Sequence, residues 1–396
     1  MVNPLIILDL LRRYLAARLE QRYTYPMLTD EYTAWVEINR SAIANNVGLL
    51  RKITGRPVMA VVKANAYGHG LIESTKAAVK GGASWCGVAR VEEGLALRRK
   101  GVDIPILILG YTSPSCVIDA ARNDITLTLF DPDTAKAYSA ALSSAQITAR
   151  IHIKVDIGMG RLGVFPSEAI EFTRFVHSLP GFVVDGIYTH FPCADDPALR
   201  YTADQIAAFE TLLRALQAAG LRPQWVHAAN SAAALFYPAG RLDMVRGGVS
   251  IYGLHPSSKA PLPAGFQPAL ALKSKIVSIK NFPTGHGIGY NYRYITSHPE
   301  RIGVCAMGYA DGIRWRLGNY ALVGGRRVRV VGSMCMDQCM LQLDGVLDAN
   351  LGSEVVWIGR QGDEQITAEE IAQNWGTINY EVATGLSSRL PRLYID

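Results

Sequence analysis

Residues 58–70 read VMAVVKANAYGHG, and the lysine in that stretch stands at the end of an apolar run. Five apolar residues predict a buried strand, yet Lys63 follows them directly, with Asn65, Tyr67 and His69 close behind. An amine at a strand end either snorkels to water or is desolvated for chemistry. In the second case its pKa falls, and it can act as a base or form a Schiff base with a carbonyl. Position alone weighs the two readings equally, but the neighbours favour chemistry. Tyr67 offers a hydroxyl, and Gly68 to Gly70 form a flexible turn. A helix read at LIESTKAAV turns its positive end toward the same rim, which would cradle a phosphate near the amine.

Other polar residues fall at the ends of apolar runs. VDIGMGRLGV leads to Arg161, a carboxylate or phosphate partner, and YTHF holds Tyr188 and His190. VHAANSAAAL brings His227, Asn230 and Ser231, the last at the start of a short helix; VRGGVSIYG brings Arg246 and a glycine pair with open N–H groups. Any one of these is compatible with ordinary packing; their recurrence at one type of position is not. Later in the chain stand Tyr290, Tyr292 and Tyr294 in GYNYRY, Tyr309 in GYADG, Met336 and Asp337 in MCMDQ, and Tyr380 in INYEV.

The elements that must position these residues alternate. Strand-like runs are read at 58–63, 85–89, 104–110, 125–130, 150–156, 181–190, 224–229 and 243–253, with amphipathic helix between most of them. The runs are almost wholly apolar, as parallel strands covered on both faces require. Eight such units match a closed (β/α)8 barrel, an α/β fold, with a doubly wound open sheet as the alternative. A barrel places function at the C-terminal ends of its strands, where Lys63, Arg161, His190, Ser231 and Arg246 stand. After a Pro/Ser/Gly-rich stretch near 255–268 the pattern turns to short β-branched segments, an all-β domain. The predicted domains are an N-terminal extension 1–32, a barrel 33–262 and a β-domain 263–396. TAWVEIN (33–39) reads as an orphan strand that pairs with the β-domain.

The chain has 396 residues, 49% apolar, with net charge +6 from 40 basic and 34 acidic residues and no long basic block. Global disorder is excluded, and nucleic-acid binding is not indicated. Six scattered cysteines form no disulfide or zinc spacing, as reduced cytoplasmic thiols would; Cys335 and Cys339 could face one another on a helix, but no second ligand pair accompanies them and no metal is expected. In residues 1–32, Leu8, Leu11, Leu15 and Leu19 lie at helical spacing. Asp9 and Arg12 interrupt the run, making it too short to span a bilayer, and no cleavage site of a signal peptide follows. It reads as an amphipathic helix packed on the body or on a partner chain. The alternatives are a membrane-surface helix, the only route to membrane association, or a link from a cytoplasmic domain to something upstream.

KANAYGHG, IKVDIGMGRLGV, YTHF, HAANSAA, VRGGVSIYGL, GIGYNY, GYADG, CMDQCM and INYEV, in this order, resemble the pyridoxal-phosphate-dependent alanine racemases from about residue 33 to the end. The resemblance implies that Lys63 holds pyridoxal 5'-phosphate and that Tyr67, Ser231, Tyr380 and the N–H groups near Gly248 and Val249 bind its phosphate. Arg246 would face the pyridine nitrogen, supported by His190. Arg161 and Met336 would contact the substrate carboxylate, Tyr309 would line the access side, and Asp337 would position its loop. Tyr290, rather than Tyr292 or Tyr294, would be the second catalytic base, supplied across a homodimer with shared active sites. Lys154 matches a lysine carbamylated in some members. Ser333 departs from the arginine that many relatives carry and puts local support of the substrate loop in doubt.

The reaction implied is interconversion of L- and D-alanine, with Lys63 on the D face and Tyr290 on the L face, supplying D-alanine for the cell wall. Alternatives are a serine or broad-specificity racemase and a decarboxylase on the same plan. A non-catalytic carrier of the cofactor is a different class, which would not need Tyr290, Met336 or Asp337.

Overall fold

The structure, a computed structural model, describes residues 31–396, so the helix expected over 1–32 falls almost entirely outside the described residues. After β1 (Ala34–Asn39) come eight short strands: β2 (Val58–Val61), β3 (Trp85–Val88), β4 (Ile106–Ile108), β5 (Ile125–Leu129), β6 (Ala149–Lys154), β7 (Phe182–Tyr188), β8 (Trp225–His227) and β9 (Val245–Gly247). Each pairs in parallel with the next from β2 to β8, and β9 returns to pair with β2. The seam between β8 and β9 is held by a single parallel bridge, His227 to Met244. The sheet is thus a nearly closed eight-stranded barrel.

Helices cover the outside. Arg40–Thr54 turns Ile43, Val47 and Leu50 inward, is capped by the Asn39 side chain accepting from Ala42 N (2.8 Å), and ends at left-handed Gly55. Inside the barrel, Met59, Trp85, Leu107, Tyr188 and Met244 form one cluster. Both faces of β2 to β5 are buried, which is why these strands read as continuous apolar runs.

The second body is built on β10 (Leu270–Phe282), with β11 (Gly287–Ile288), β12 (Tyr294–Ile295), β13 (Glu300–Cys305), β14 (Tyr320–Val323), β15 (Arg326–Val331), β16 (Cys339–Gln342), β17 (Glu354–Gln361), β18 (Glu364–Ile366) and β19 (Arg392–Ile395). A β10–β17 pairing turns the sheet back on itself, while β11 and β12 form a separate hairpin. β1 pairs antiparallel with β10 and parallel with β19, so the chain threads the β-domain before it enters the barrel.

Local readings change in four places. The strand expected through Lys63 ends at Val61, and the one expected over 243–253 covers only Val245–Gly247 before a tight turn at Val249–Tyr252. The β-domain carries two helices, Ala368–Trp375 and Asn379–Thr384, and Tyr380 lies on the second. Cys335 sits in a loop and Cys339 on β16, so they share no helix; Cys339 instead opposes Cys305 across the sheet, Sγ to Sγ 3.4 Å. Among the described residues no helix is long and apolar enough to cross a membrane.

Candidate active site

Four consecutive residues after Lys63 adopt left-handed backbone: Ala64, Asn65, Ala66 and Tyr67, all with φ of 53–54°. None is glycine, and each such residue costs about 1–2 kcal/mol. The turn persists because its polar groups are bonded on every side. Glu93 Oε1 accepts from Ala64 N (2.7 Å), Asn65 Oδ1 accepts from Leu71 N (2.9 Å), and Gly70 N donates to Asn65 O (2.9 Å). Gly68 continues the turn at φ 84°; a Cβ there would come within 2.1 Å of Ala383 O, so the turn is pressed against the helix that carries Tyr380. The first N–H of the helix Leu71–Lys80 is occupied by Asn65, which corrects the expectation that this helix end would cradle a phosphate.

The hydroxyls converge elsewhere. A Cβ placed on Gly248 would lie 2.9 Å from Tyr67 Oη and 3.8 Å from Ser231 Oγ. Ser231 Oγ accepts from Gly248 N (3.0 Å) and Ser250 N (3.3 Å), at the start of the helix Ser231–Phe236. The Tyr67 ring lies 5.1 Å from that of Tyr252 and 6.2 Å from that of Tyr380, and burial pushes its phenol up to about 12, keeping it a neutral donor. Hydroxyls and N–H groups around a position with room for no side chain form a neutral donor set suited to a phosphate.

The Lys63 amine is partly buried with no hydrogen-bonding partner among the described residues. Its pKa is lowered, chiefly by burial and then by Arg161 and Arg246, with Glu93 opposing. A desolvated amine next to guanidinium groups favours the neutral form that attacks a carbonyl. The groups present therefore fit a phosphorylated pyridine aldehyde: an amine for the aldehyde, a donor cradle for the phosphate and a fixed cation at Arg246.

Arg246 is buried and completely oriented. Its Nη1 donates to His227 Nδ1 (2.8 Å), and its Nη2 donates to Thr189 O (2.8 Å), Ala228 O (2.7 Å) and His190 Nδ1 (3.2 Å). Both imidazoles face the arginine with an accepting nitrogen, so both are neutral; burial and then Arg246 drive His190 down to about 2. His227 Nε2 in turn lies 3.0 Å from His152 Nδ1. Burial brings Arg246 to about 10, still charged at neutral pH.

Lys154, at the end of β6, is buried with its ammonium 4.3 Å over the Tyr188 ring. The next loop is wound around Asp156, whose carboxylate accepts from Gly158, Met159, Gly160 and Arg161 N–H groups (2.8–3.2 Å), leaving the Arg161 side chain exposed at the rim.

Lys63, Tyr67, His190, Ser231, Arg246, Gly248, Val249 and Tyr380 thus gather at the barrel mouth. Tyr290, Tyr309, Met336 and Asp337 do not join them: they lie on the β-domain, exposed by 68% for Tyr290, 42% for Tyr309 and 53% for Met336. Tyr309 N donates to Cys335 O (3.1 Å) and Ala310 N to Met336 O (3.0 Å), which makes one paired unit of the two loops. Tyr290 opens a turn between β11 and β12, and a Cβ on the preceding Gly289 would lie 3.3 Å from Ser333 N. Ser333 is buried at that junction. Sequence reading passed over Glu93, whose only mark was the acidic first turn of VEEGLALRRK, and the His152–His227 pair, whose partners lie on different strands.

The family model described as "Alanine racemase, N-terminal domain" matches residues 38–256, and "Alanine racemase, C-terminal domain" matches 269–394. The alanine racemase of Symbiobacterium thermophilum is 42% identical over 91% of this chain and 96% of its own. The alanine racemase structure from Bacillus anthracis with bound L-Ala-P superposes with a TM-score of 0.87 at 39% identity, covering 94% of this chain and 96% of that one. The histidine racemase of Leuconostoc mesenteroides superposes with 0.86 at 30% identity, over 94% of this chain and 100% of that one.

Proposed function

The chain belongs to the alanine racemase family, and from that premise we propose how its residues divide the work of interconverting L- and D-alanine. The observation that carries the assignment is the Lys63 amine, without a hydrogen-bonding partner among the described residues and with its pKa lowered chiefly by burial, at the mouth that also holds the Tyr67–Ser231–Gly248 cradle. These groups bind pyridoxal 5'-phosphate, which when bound makes the substrate Cα–H acidic by accepting the charge left behind. Tyr67, Ser231, Tyr380 and the N–H groups of Gly248 and Val249 hold the phosphate. Arg246, buried and donating to four acceptors, would hold the ring nitrogen and give up no proton to it.

Racemisation requires a proton to leave one face of Cα and another to arrive on the opposite face. Lys63 holds and moves the proton on the D side. Tyr290 of the partner subunit does so on the L side, as the family resemblance implies, and its 68% exposure on the β-domain leaves it open to such a role. This reading takes the protein as a homodimer, with Tyr309, Met336 and Asp337 presented across the interface and Arg161 receiving the substrate carboxylate. In this reading the Tyr380 ring, whose centre lies 6.2 Å from that of Tyr67, crowds the site and favours the small side chain of alanine. The six cysteines are unbridged, which fits a cytoplasmic setting, and in this reading the D-alanine formed there supplies the cell wall.

The test is exchange in D2O. The protein with pyridoxal 5'-phosphate should incorporate deuterium at Cα of L-alanine while racemising it, faster than L-serine or L-histidine, and Lys63→Ala should do neither. No exchange with any of the three amino acids would overturn the assignment, and faster exchange with serine or histidine would move the substrate.

A further inference from the structure

The two loops proposed to face substrate are fastened to one arginine. Arg389 Nε donates to Asp311 Oδ1 (2.7 Å) and its Nη1 to Asp337 Oδ1 (2.7 Å). Asp311 closes the turn after Tyr309, its other oxygen accepting from Gly308 N (2.8 Å), and Asp337 follows Met336. The loops touch backbone to backbone: a Cβ on Gly308 would lie 2.1 Å from Met336 O, so neither shifts alone.

The arginine stands on a fixed base. Leu386 and Leu390 are buried, Ser387 N donates to Asp311 O (3.0 Å), and β19 begins two residues beyond Leu390, paired with β1. The two arms differ in strength. The Asp311 side chain is 5% exposed and the Asp337 side chain 63%, while Arg389 is 43% exposed in both pairs, so the first pair is screened less than the second. The Asp311 arm anchors, and the Asp337 arm sets where the exposed end of the Met336 loop comes to rest.

We propose that Arg389 is a positioning residue for the racemase reaction: it fixes the Met336–Asp337 loop against the Tyr309 turn so that both meet the substrate as one surface. This rests on the reading that those loops face substrate. Arg389 touches neither reacting atoms nor cofactor cradle, so its loss acts on the fit of substrate rather than on proton transfer.

The experiment compares Arg389→Ala and Arg389→Lys holoenzymes with Asp337→Asn and the Arg389→Ala/Asp337→Asn double variant. Arg389→Ala should raise KM for alanine about tenfold with kcat changed less than about threefold. Arg389→Lys should recover part of that, since it keeps charge but not the two-armed fork. The double variant should be no worse than Arg389→Ala alone. Amide exchange at Tyr309 and Ala310 should speed up in Arg389→Ala. Unchanged KM and amide protection in the variants, or strictly additive losses, would overturn the proposal; if Arg389→Ala fails to fold, Asp337→Asn and Arg389→Lys give the same two readouts. Tyr309→Phe and Met336→Ala separate the two readings. If they leave KM unmoved, the loops do not face substrate; if they raise it while the Arg389 variants do not, only the clamp fails.

Discussion

The ammonium of Lys154 lies 4.3 Å above the centre of the Tyr188 ring, and no carboxylate pairs with it among the described residues. Burial, then Arg246 and Arg161, lower its pKa to about 7 from 10.5. Below pH 7 folded and unfolded chains both hold the proton, and the fold bears the full cost of a buried charge. Between pH 7 and 10.5 only the unfolded chain holds it, so stability rises with pH, by about 3–5 kcal/mol in all. Lys154→Met should therefore melt higher than the parent near pH 6 and lose most of the rise toward pH 9. Thermal melts in carbonate-free buffer check this, with mass spectrometry in bicarbonate to detect carbamylation separately.

Ser231 Oγ accepts from two buried N–H groups, of Gly248 and Ser250. Ser231→Ala strands both, and each stranded group costs about 1–3 kcal/mol. A phosphate oxygen can take over at Gly248. The variant should thus lose more melting temperature without pyridoxal 5'-phosphate than with it, and bind the cofactor more weakly. Equal losses in both states would place the phosphate elsewhere.

Tyr290→Phe keeps the ring and removes the proton carrier. Deuterium exchange at Cα starting from L-alanine should fall by about 10²–10⁴-fold, while the cofactor absorbance and exchange from D-alanine change far less. Exchange measured separately from each enantiomer decides it, and racemisation at the parental rate would remove Tyr290 from the mechanism.

The left-handed turn gives a stability test that needs no substrate. Ala64 is exposed with φ 53°, where glycine has no steric penalty. Ala64→Gly should stabilise the protein by about 0.5–1 kcal/mol in urea unfolding, whereas the same change in a right-handed helix destabilises by a similar amount. Ala64→Val, branched at Cβ, should destabilise it by more than about 1 kcal/mol.

The amino-acid order alone determined eight parallel β/α units and the residues at their ends, while the β9–β2 pairing in the structure decided the barrel over an open sheet. Apolar runs of strand length alternating with amphipathic helix admit few packings, and a polar residue at the end of such a run has only the mouth to occupy. Lys63, Ser231 and Arg246 were legible for that reason. The turn behind Lys63 was not: local preference argues against four left-handed residues without glycine, and beside its local Asn65 bonds it is held by Glu93, 29 residues further on, and by the Tyr380 helix. Arg389 was invisible for a similar reason. Its meaning lies in Asp311 and Asp337, 78 and 52 residues away, and a long-range ion pair leaves no periodic trace. Tertiary structure also decided that Tyr290, already assigned to the β-domain from the sequence, stands exposed. Spacing along a chain fixes the face of a helix or strand, but which surfaces remain open to a second copy depends on how the domains pack.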